Sequence, residues 1–396
     1  MKTILFAPVY SRSGYGDHAR EVADFLISQK EITLEIAPVS WGKNPDSYYT
    51  HDNESILNIN ERIITSVSND EYDCCVTIGM PTEFKELGKY NIGITAGIET
   101  NRVSREFVHH VNKMDLLIVP STFTRKTFES TEYINDDQVK LKTECEIVVI
   151  NEYTSEKFYK RPLKKTDFLS EIKEDFCFLS VGQWISSEND DGGRKNMKSL
   201  INTFITSFEG NDIKPALVLK TNGCNYNTTD RHDIENTINE IVGLYDTKTR
   251  PNIYLIHGNL NDNDLFSLYN NNKIKAFLSH TRGEGFGRPM LEASLSELPI
   301  ICPKFSGYLD FLNEDNSTLI TGKLVNVNKV DTMFCENAKW IDIDEESSAN
   351  AMKKIYTQYS KYKNKAIKET TGILTSFSRK SAMQKYKQIF ENIHTK

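Results

Sequence analysis

Short apolar runs alternate with longer polar stretches along the whole chain. Most of the runs are continuous, which is typical of strands buried on both faces, and the sequence between them has helical or loop character. Strands that alternate with helices predict parallel sheets. We therefore predict an α/β chain with strands at residues 3–7, 34–37, 74–78, 92–95, 116–119, 147–150, 176–181, 216–221, 253–257, 276–279 and 300–302.

The strands fall into two groups, which predicts two domains. The chain has 396 residues, more than one hydrophobic core usually supports. We expect one α/β domain at residues 1–155 and a second at 170–375, joined by a charged connection at 155–175. A last helix is predicted at 379–393, within the segment 376–396. A cleft between the two domains would hold the ligands.

Cysteine usage and net charge indicate in which cellular compartment the protein works and which partners it can attract. The chain contains seven cysteines, without metal-type spacing, and has a net charge of −7. Reduced thiols in a cytoplasmic protein are expected from this pattern, and the charge gives no global attraction to nucleic acid or anionic lipid. We expect no secretion signal after Met1, because the first apolar stretch is interrupted by Pro8 after too few residues. We expect no transmembrane segment, because no apolar run approaches the roughly 18 residues that span a bilayer.

The glycine-rich segment 281–293 contains two glutamates in different settings. Pro289 suits the first position of a helix, which would place Glu292 in the first helical turn. Glu284 would lie in a loop at the carboxyl end of a strand, where open α/β sheets bind ligands. A simpler interpretation is that Glu284 faces solvent and Glu292 only complements the helix dipole.

A group of cations in the second half is a further candidate site. Arg194 and Lys195 precede the helical pattern at 200–208. Cations at the start of a helix oppose its dipole, so an anionic ligand such as a diphosphate would explain them. Lys220, at the end of the strand that begins at Ala216, is another possible phosphate contact, and an ordinary strand-end lysine is an equal interpretation.

Another glycine-rich loop follows the first strand. Gly14, Tyr15 and Gly16 lead into a predicted helix at 19–27, and Gly14, Gly16 and Ala19 satisfy the dinucleotide-binding fingerprint. An NAD-dependent oxidoreductase is therefore an alternative. We disfavour it because the acidic ribose partner should end the second strand, whereas Glu35 lies inside that strand.

The segment 282–293, Arg-Gly-Glu-Gly-Phe-Gly-Arg-Pro-Met-Leu-Glu-Ala, resembles the signature of the GT-B retaining glycosyltransferases of family 4. The resemblance implies two Rossmann-like parallel-sheet domains that face a cleft, with the C-terminal helix crossing back to the N-terminal domain. It also implies that Glu284 lies near the transferred sugar and that Glu292 accepts hydrogen bonds from the ribose. Lys195 would contact the donor pyrophosphate, with Arg194 as a helper.

The same resemblance implies roles for the remaining loops. Gly285, Phe286 and Gly287 would let the backbone approach the donor, and Gly14, Tyr15 and Gly16 would face the donor from the N-terminal domain. Many relatives have an arginine at the position of Gln183, so one phosphate contact is in doubt here, and Lys220 would compensate. The acceptor would bind to the N-terminal domain, where Glu99 and Thr100 are the candidates, with helix capping as the alternative.

The implied activity is transfer of a hexose or pentose from a nucleotide-diphosphate sugar, with retention of the anomeric configuration and without a metal or cofactor. Asp190 and Asp191 are interpreted as a solvated turn rather than a metal site. The acceptor would be a glycan, a lipid-linked sugar or another hydroxyl compound. A modified base in DNA is an alternative acceptor, which is supported only by two weakly basic segments at 122–128 and 160–165. A non-catalytic sugar-nucleotide-binding protein is a further one.

Overall fold

The computed structural model describes residues 1–42, 44–48, 54–68, 71–134, 140–154, 169–184, 193–212, 214–223, 225–328 and 333–394. Three features named from the sequence lie outside these residues: the basic segment 160–165, the acidic pair Asp190 and Asp191, and most of the charged connection. The predicted limits of the two domains therefore stay a prediction.

The N-terminal domain is built on a six-stranded sheet. Its strands are β1 (Lys2–Ala7), β2 (Thr33–Pro38), β3 (Tyr72–Ile78), β4 (Gly88–Ile94), β5 (Leu116–Val119), β6 (Glu132–Ile134), β7 (Lys140–Lys142) and β8 (Glu146–Val149), and its helices are α1 (Gly14–Ser28), α2 (Glu54–Asn60), α3 (Arg105–Val111) and α4 (Thr122–Ser130). The sheet order is β2-β1-β3-β4-β5-β8, and all neighbours are parallel. Strands β6 and β7 form a separate antiparallel pair.

The C-terminal domain repeats this design. Its strands are β9 (Cys177–Val181), β10 (Ala216–Lys220), β11 (Ile253–Ile256), β12 (Ile274–Leu278), β13 (Ile300–Pro303), β14 (Thr318–Ile320), β15 (Gly322–Asn326) and β16 (Lys339–Ile343), and its helices are α5 (Met197–Phe208), α6 (Thr228–Val242), α7 (Asp262–Tyr269), α8 (Arg288–Leu295), α9 (Glu345–Thr357) and α10 (Tyr359–Ser376). Strands β11-β10-β9-β12-β13-β14 form a parallel sheet in that order, and β15 pairs antiparallel with β16.

Each sheet is buried on both faces, which explains the continuous apolar runs. In β12, Ile274 and Phe277 pack into one hydrophobic cluster, whereas Ala276 and Leu278 pack into the cluster on the opposite face. The last helix, α11 (Arg379–His394), returns to the N-terminal domain. Its residues Ala382, Tyr386 and Phe390 join the core of that domain. The predicted fold, including the crossing helix, is confirmed.

Two helix starts differ from the expectation. Helix α1 begins at Gly14 rather than Ala19, because the Ser13 side chain caps it by accepting a hydrogen bond from the Gly16 N–H. Helix α8 begins at Arg288, so Pro289 is its second residue and Glu292 lies beyond the first turn. The first-turn position predicted for Glu292 was wrong, because Gly287, with φ of 99°, already makes the turn into the helix.

Candidate active site

The carboxyl ends of both sheets face one cleft of about 1380 Å³. Eleven of the thirteen candidate site residues line it: Gly14, Tyr15, Glu99, Arg194, Lys195, Lys220, Glu284, Gly285, Phe286, Gly287 and Glu292. Gly16 and Thr100 do not line the cleft themselves, but each is next in sequence to a residue that does. A side chain at Gly16 would collide with the Ser11 carbonyl oxygen, and the Thr100 hydroxyl donates to the Arg102 carbonyl oxygen at 2.8 Å.

Glu284 is the centre of an ion cluster within the cleft. Its Oε1 accepts from the Lys195 ammonium at 2.5 Å and from the Thr281 hydroxyl at 2.7 Å, and its Oε2 lies 2.9 Å from Nη1 of Arg194. The Ser306 hydroxyl accepts from the Glu284 backbone N–H at 3.0 Å, which fixes the loop. Burial opposes ionisation of Glu284, but the charges of Arg194 and Lys195 outweigh it and lower its pKa to about 2.

Arg194 extends this cluster to the other domain. Its Nε lies 2.9 Å from Oε1 of Glu99, which follows β4 in the N-terminal domain. Arg194 therefore contacts the candidate donor glutamate and the candidate acceptor glutamate at once. All three residues are candidates from the sequence, but their contact with one another has no local sequence signal.

The glycines of the 283–287 loop allow the two domains to touch. A Cβ atom on Gly285 would lie 1.7 Å from the Ala96 carbonyl oxygen, and one on Gly283 would lie 1.9 Å from that of Glu99. The Ser121 hydroxyl, which also caps α4, donates to the Gly285 carbonyl oxygen at 2.6 Å. Close backbone contact between the domains thus requires glycine at these positions.

Two further residues on the C-terminal wall have polar groups at the strand ends. The Lys220 ammonium donates to the Gly258 carbonyl oxygen at 2.7 Å, and burial lowers its pKa to about 8. The side-chain amide of Gln183 donates to the carbonyl oxygen of Gly223 at 2.7 Å and to the side-chain carbonyl oxygen of Asn44 of the N-terminal domain at 3.1 Å. Lys220 therefore remains the better candidate for a phosphate contact.

Tyr15 fixes the N-terminal side of the cleft. Its hydroxyl accepts from the backbone N–H groups of Ala96 at 2.9 Å and Gly97 at 2.6 Å, and lies 3.0 Å from the Thr95 hydroxyl. Gly14 stands next to it, where an added Cβ would meet no atom within 4 Å. The loop is thus held in place at Tyr15, whereas at Gly14 it leaves free space next to the backbone.

A buried ion cluster at the domain boundary was missed by the sequence analysis. Arg288 of α8 lies 2.5 Å from Glu21 and 2.7 Å from Glu152, and donates to the Tyr153 carbonyl oxygen at 3.0 Å. All of these partners belong to the N-terminal domain. His18 lies 3.7 Å from Glu152 in the same cluster, and burial and the charge of Arg288 lower its pKa to about 3.

The hairpin β15–β16 is a third unforeseen part of the cleft wall. Arg282 of the glycine-rich segment stacks over Trp340 at 5.1 Å and pairs with Asp342 at 3.1 Å. On the other domain, the Asn101 N–H donates to the Lys339 carbonyl oxygen at 2.9 Å. The hairpin therefore joins the loop of Glu284 to the loop of Glu99.

Glu35 does not occupy the position that the NAD alternative requires. It lies within β2, where its carboxylate accepts from the Tyr72 hydroxyl at 2.5 Å and lies 3.6 Å from the Lys2 ammonium. A ribose partner should stand free at the end of that strand. The geometry thus speaks against a dinucleotide site in this domain.

Comparison with known proteins decides the class of this site. Residues 247–358, which include Glu284 and Glu292, match the family of glycosyl transferases group 1. This segment is therefore similar to group 1 glycosyltransferase domains. The prediction of a glycosyltransferase is confirmed, whereas the assignment to family 4 stays a prediction. A comparison with curated proteins gave no significant match.

Solved structures show that the whole chain has the GT-B glycosyltransferase fold. Sucrose-phosphate synthase from Thermosynechococcus elongatus is 12% identical, with 100% of this chain and 99% of that chain covered and a TM-score of 0.62. A glycosyltransferase from Rickettsia africae is 14% identical, with 99% and 98% covered and a TM-score of 0.64. HepE from Anabaena, in complex with UDP-glucose, is 11% identical, with 99% and 100% covered and a TM-score of 0.59. In the described part of this chain, no helix is both long and apolar enough to cross a membrane.

We expect Glu292→Gln to stabilise the ligand-free glycosyltransferase at pH 8 and to have a much smaller effect at pH 5. Burial raises the pKa of Glu292 to about 8, while a carboxyl group in the unfolded chain titrates near 4.3. The folded state thus keeps a proton that the unfolded state releases, and wild-type stability falls as the pH rises between these values. Urea unfolding should show a gain of up to about 5 kcal/mol at pH 8, for a difference of roughly 3.7 pKa units, and of only about 1 kcal/mol at pH 5.

The surface variant Glu235→Gln is the matched control, because Glu235 lies on α6 in an exposed pair with Arg231. Its stability should track that of wild type across the pH range. An equal effect of Glu292→Gln at pH 5 and pH 8 would show that Glu292 is already ionised in the empty site.

Proposed function

We propose that this glycosyltransferase moves a sugar from a nucleoside-diphosphate sugar to a hydroxyl group of an acceptor, with retention at the anomeric carbon and without a metal. The observation that supports this most directly is the ion cluster of Arg194, Lys195 and Glu284 at the carboxyl end of the C-terminal sheet. Two cations and one carboxylate meet there, in the cleft between the domains.

The diphosphate of the donor fits the cations. Arg194 and Lys195 lie just before α5, and Lys220 ends the neighbouring strand β10. In the empty site Glu284 neutralises Arg194 and Lys195, and a bound diphosphate would share or take over these contacts. Charge-assisted hydrogen bonds of this kind stabilise the charge that develops on a leaving diphosphate.

The nucleoside would lie farther along the same wall. Glu292 lines the cleft on α8, and its carboxyl oxygens can accept hydrogen bonds from ribose hydroxyls. Gly258, Leu260 and Leu265 line the cleft near Lys220 and would contact the base. HepE is crystallised with UDP-glucose and with UDP, so a UDP-sugar is the first donor to test.

In the transfer step, the bond between the anomeric carbon and the diphosphate oxygen breaks, and its electron pair leaves with the diphosphate. A bond forms between the anomeric carbon and the acceptor oxygen on the same face of the sugar. The acceptor proton passes to the departing diphosphate oxygen. Glu284 holds the sugar, Lys195 and Arg194 hold the diphosphate, and contact between the domains excludes water.

The test is a panel of UDP-, GDP- and ADP-sugars in buffer with EDTA, with release of nucleoside diphosphate as the readout. One donor should be turned over slowly without an acceptor. Lys195→Met should lower that rate by at least about 100-fold, because one electrostatic contact to the leaving group is lost. Lys198→Met, on the exposed side of α5, is the matched control and should keep the wild-type rate. If the protein neither binds nor turns over any donor of the panel, the proposal is refuted.

A further inference from the structure

On the N-terminal wall, the same cleft is also lined by Trp41, Met80 and Glu83. We propose that this part binds a neutral carbohydrate acceptor, with Trp41 as the surface on which a sugar ring stacks and Glu83 as a partner for its hydroxyl groups. The proposal rests on the transfer function proposed above and specifies its acceptor.

Trp41 has the setting of a rigid stacking surface. It lies parallel to Tyr15, with ring centroids 3.8 Å apart and an angle of 25° between the planes. Tyr15 is itself held by the backbone of Ala96 and Gly97. One face of Trp41 is thus covered by a fixed ring, while the residue is half-buried and lines the cleft. A sugar ring presents C–H groups on its faces, and these pack well against an indole.

Glu83 supplies a hydroxyl acceptor at a fixed position beside this surface. The side chain is exposed and lines the cleft, and its Oε2 accepts from the Met80 N–H at 2.9 Å. That contact holds the carboxylate in place at the end of β3. A carboxylate has about four lone-pair sites, so it can accept from ligand hydroxyl groups as well.

The hairpin β15–β16 provides the wall on the C-terminal side. Phe334 packs edge-on against Trp340 at 5.4 Å, and both residues line the cleft. The Lys339 N–H donates to Asn101 of the N-terminal domain at 2.7 Å, so the hairpin is fastened to both domains. Aromatic rings of both domains thus line the cleft.

The charges of the N-terminal wall favour an uncharged acceptor over a polyanion. Among the described residues of this wall, the cleft is lined by the single base Arg12 and by the acids Asp17, Glu83, Glu99 and Glu152. Arg12 is turned to its own domain, where its guanidinium lies 4.7 Å from the Tyr48 ring and donates to the Ser47 carbonyl oxygen at 3.3 Å. Binding of DNA or anionic lipid needs several cation–phosphate contacts on one surface.

The basic segment of α4 does not supply such a surface. Thr124, Thr127 and Phe128 are buried, and Arg125 pairs with Glu129 on the same helix at 2.7 Å. The helix therefore packs against its own domain in the way that an amphipathic helix does. A DNA base and a phospholipid are the outcomes that the experiment must separate from a neutral sugar.

The experiment uses the full chain and the donor that the panel identifies. The acceptors are p-nitrophenyl glycosides of neutral hexoses, duplex DNA that contains 5-hydroxymethylcytosine, and vesicles of phosphatidylinositol in phosphatidylcholine. We expect transfer to at least one neutral glycoside and a far lower kcat/KM for DNA and vesicles. Trp41→Ala should raise the glycoside KM by about tenfold or more, while Trp41→Phe keeps most of the affinity.

Glu83→Gln is the second variant, because it preserves the acceptor for the Met80 N–H and leaves the aromatic packing intact. It should raise the glycoside KM by about fivefold. In all three variants the donor Kd should stay within about twofold of wild type. Unchanged KM values in Trp41→Ala and Glu83→Gln, preferred transfer to DNA or vesicles, or donor turnover without transfer to any neutral glycoside would overturn the acceptor assignment. Failure of donor binding in wild type would instead refute the transferase proposal itself.

Discussion

Glu284→Gln should lower the rate of sugar transfer by at least about 100-fold while the nucleoside diphosphate binds as tightly as to wild type or more tightly. The carboxylate of Glu284 contacts both Arg194 and Lys195 in the empty site. A neutral amide no longer competes with the diphosphate for these cations, so product affinity rises. The contact that the carboxylate makes during transfer is lost, so kcat falls. Steady-state kinetics and calorimetry of the same preparation measure the two effects.

Lys195→Met is the matched comparison for this variant. It should lose both diphosphate affinity and rate, because the removed group is a cation that contacts the leaving group. The two substitutions at one ion pair are thus expected to have opposite effects on binding. Parallel losses of affinity in both variants would mean that the ion pair only maintains the shape of the loop.

Arg288→Met should destabilise the protein by about 3 kcal/mol or more, one of the largest losses expected from a single substitution in this chain. The guanidinium of Arg288 is shared by Glu21 and Glu152 at the buried domain boundary. Burial raises the pKa of Glu21 to about 8 even beside Arg288, so the site tolerates a second negative charge poorly. Without the cation, the carboxyl groups must take up protons or draw in water. Thermal and urea unfolding measure the loss.

Arg125→Met is the surface control for this variant. Its pair with Glu129 lies exposed within α4 and should contribute less than about 1 kcal/mol. Adding Glu21→Gln and Glu152→Gln to Arg288→Met should restore much of the stability, because no unpaired charge is then buried. Equal stability of Arg288→Met and Arg125→Met would show that Glu21 and Glu152 can stay buried at no cost in free energy without the charge of Arg288.

Local sequence signals were sufficient for the parts of the site that come from one loop or one strand. The strand before Glu284, the glycines after it and the proline at the start of α8 have direct physical signatures, and the observed elements follow them closely. Lys195 was found because a cation at a helix start needs an explanation. The position of Glu292 within its helix was wrong by a single residue, since glycine and proline mark a helix start only approximately.

Contacts between distant parts of the chain left no such signature. The pair of Arg194 with Glu99 and the pairs of Arg288 with Glu21 and Glu152 join the two domains. Glu21 and Glu152 look like ordinary surface charges in their own segments, and nothing local shows that Arg194 meets Glu99. The hairpin β15–β16 was also missed, because its strands are short, mix polar and apolar residues, and lie outside the main sheets. Only the packing of one domain on the other reveals these features.

Calorimetric titration of the wild-type protein with UDP, GDP, ADP and NAD in the presence of EDTA would show which nucleotide the cleft binds. One nucleoside diphosphate should bind with a stoichiometry of one per chain and a Kd in the micromolar to low millimolar range, at least about tenfold weaker in Lys195→Met. NAD should not bind. Binding of NAD without binding of any nucleoside diphosphate would contradict the central claim that Arg194, Lys195 and Glu284 form a donor diphosphate site.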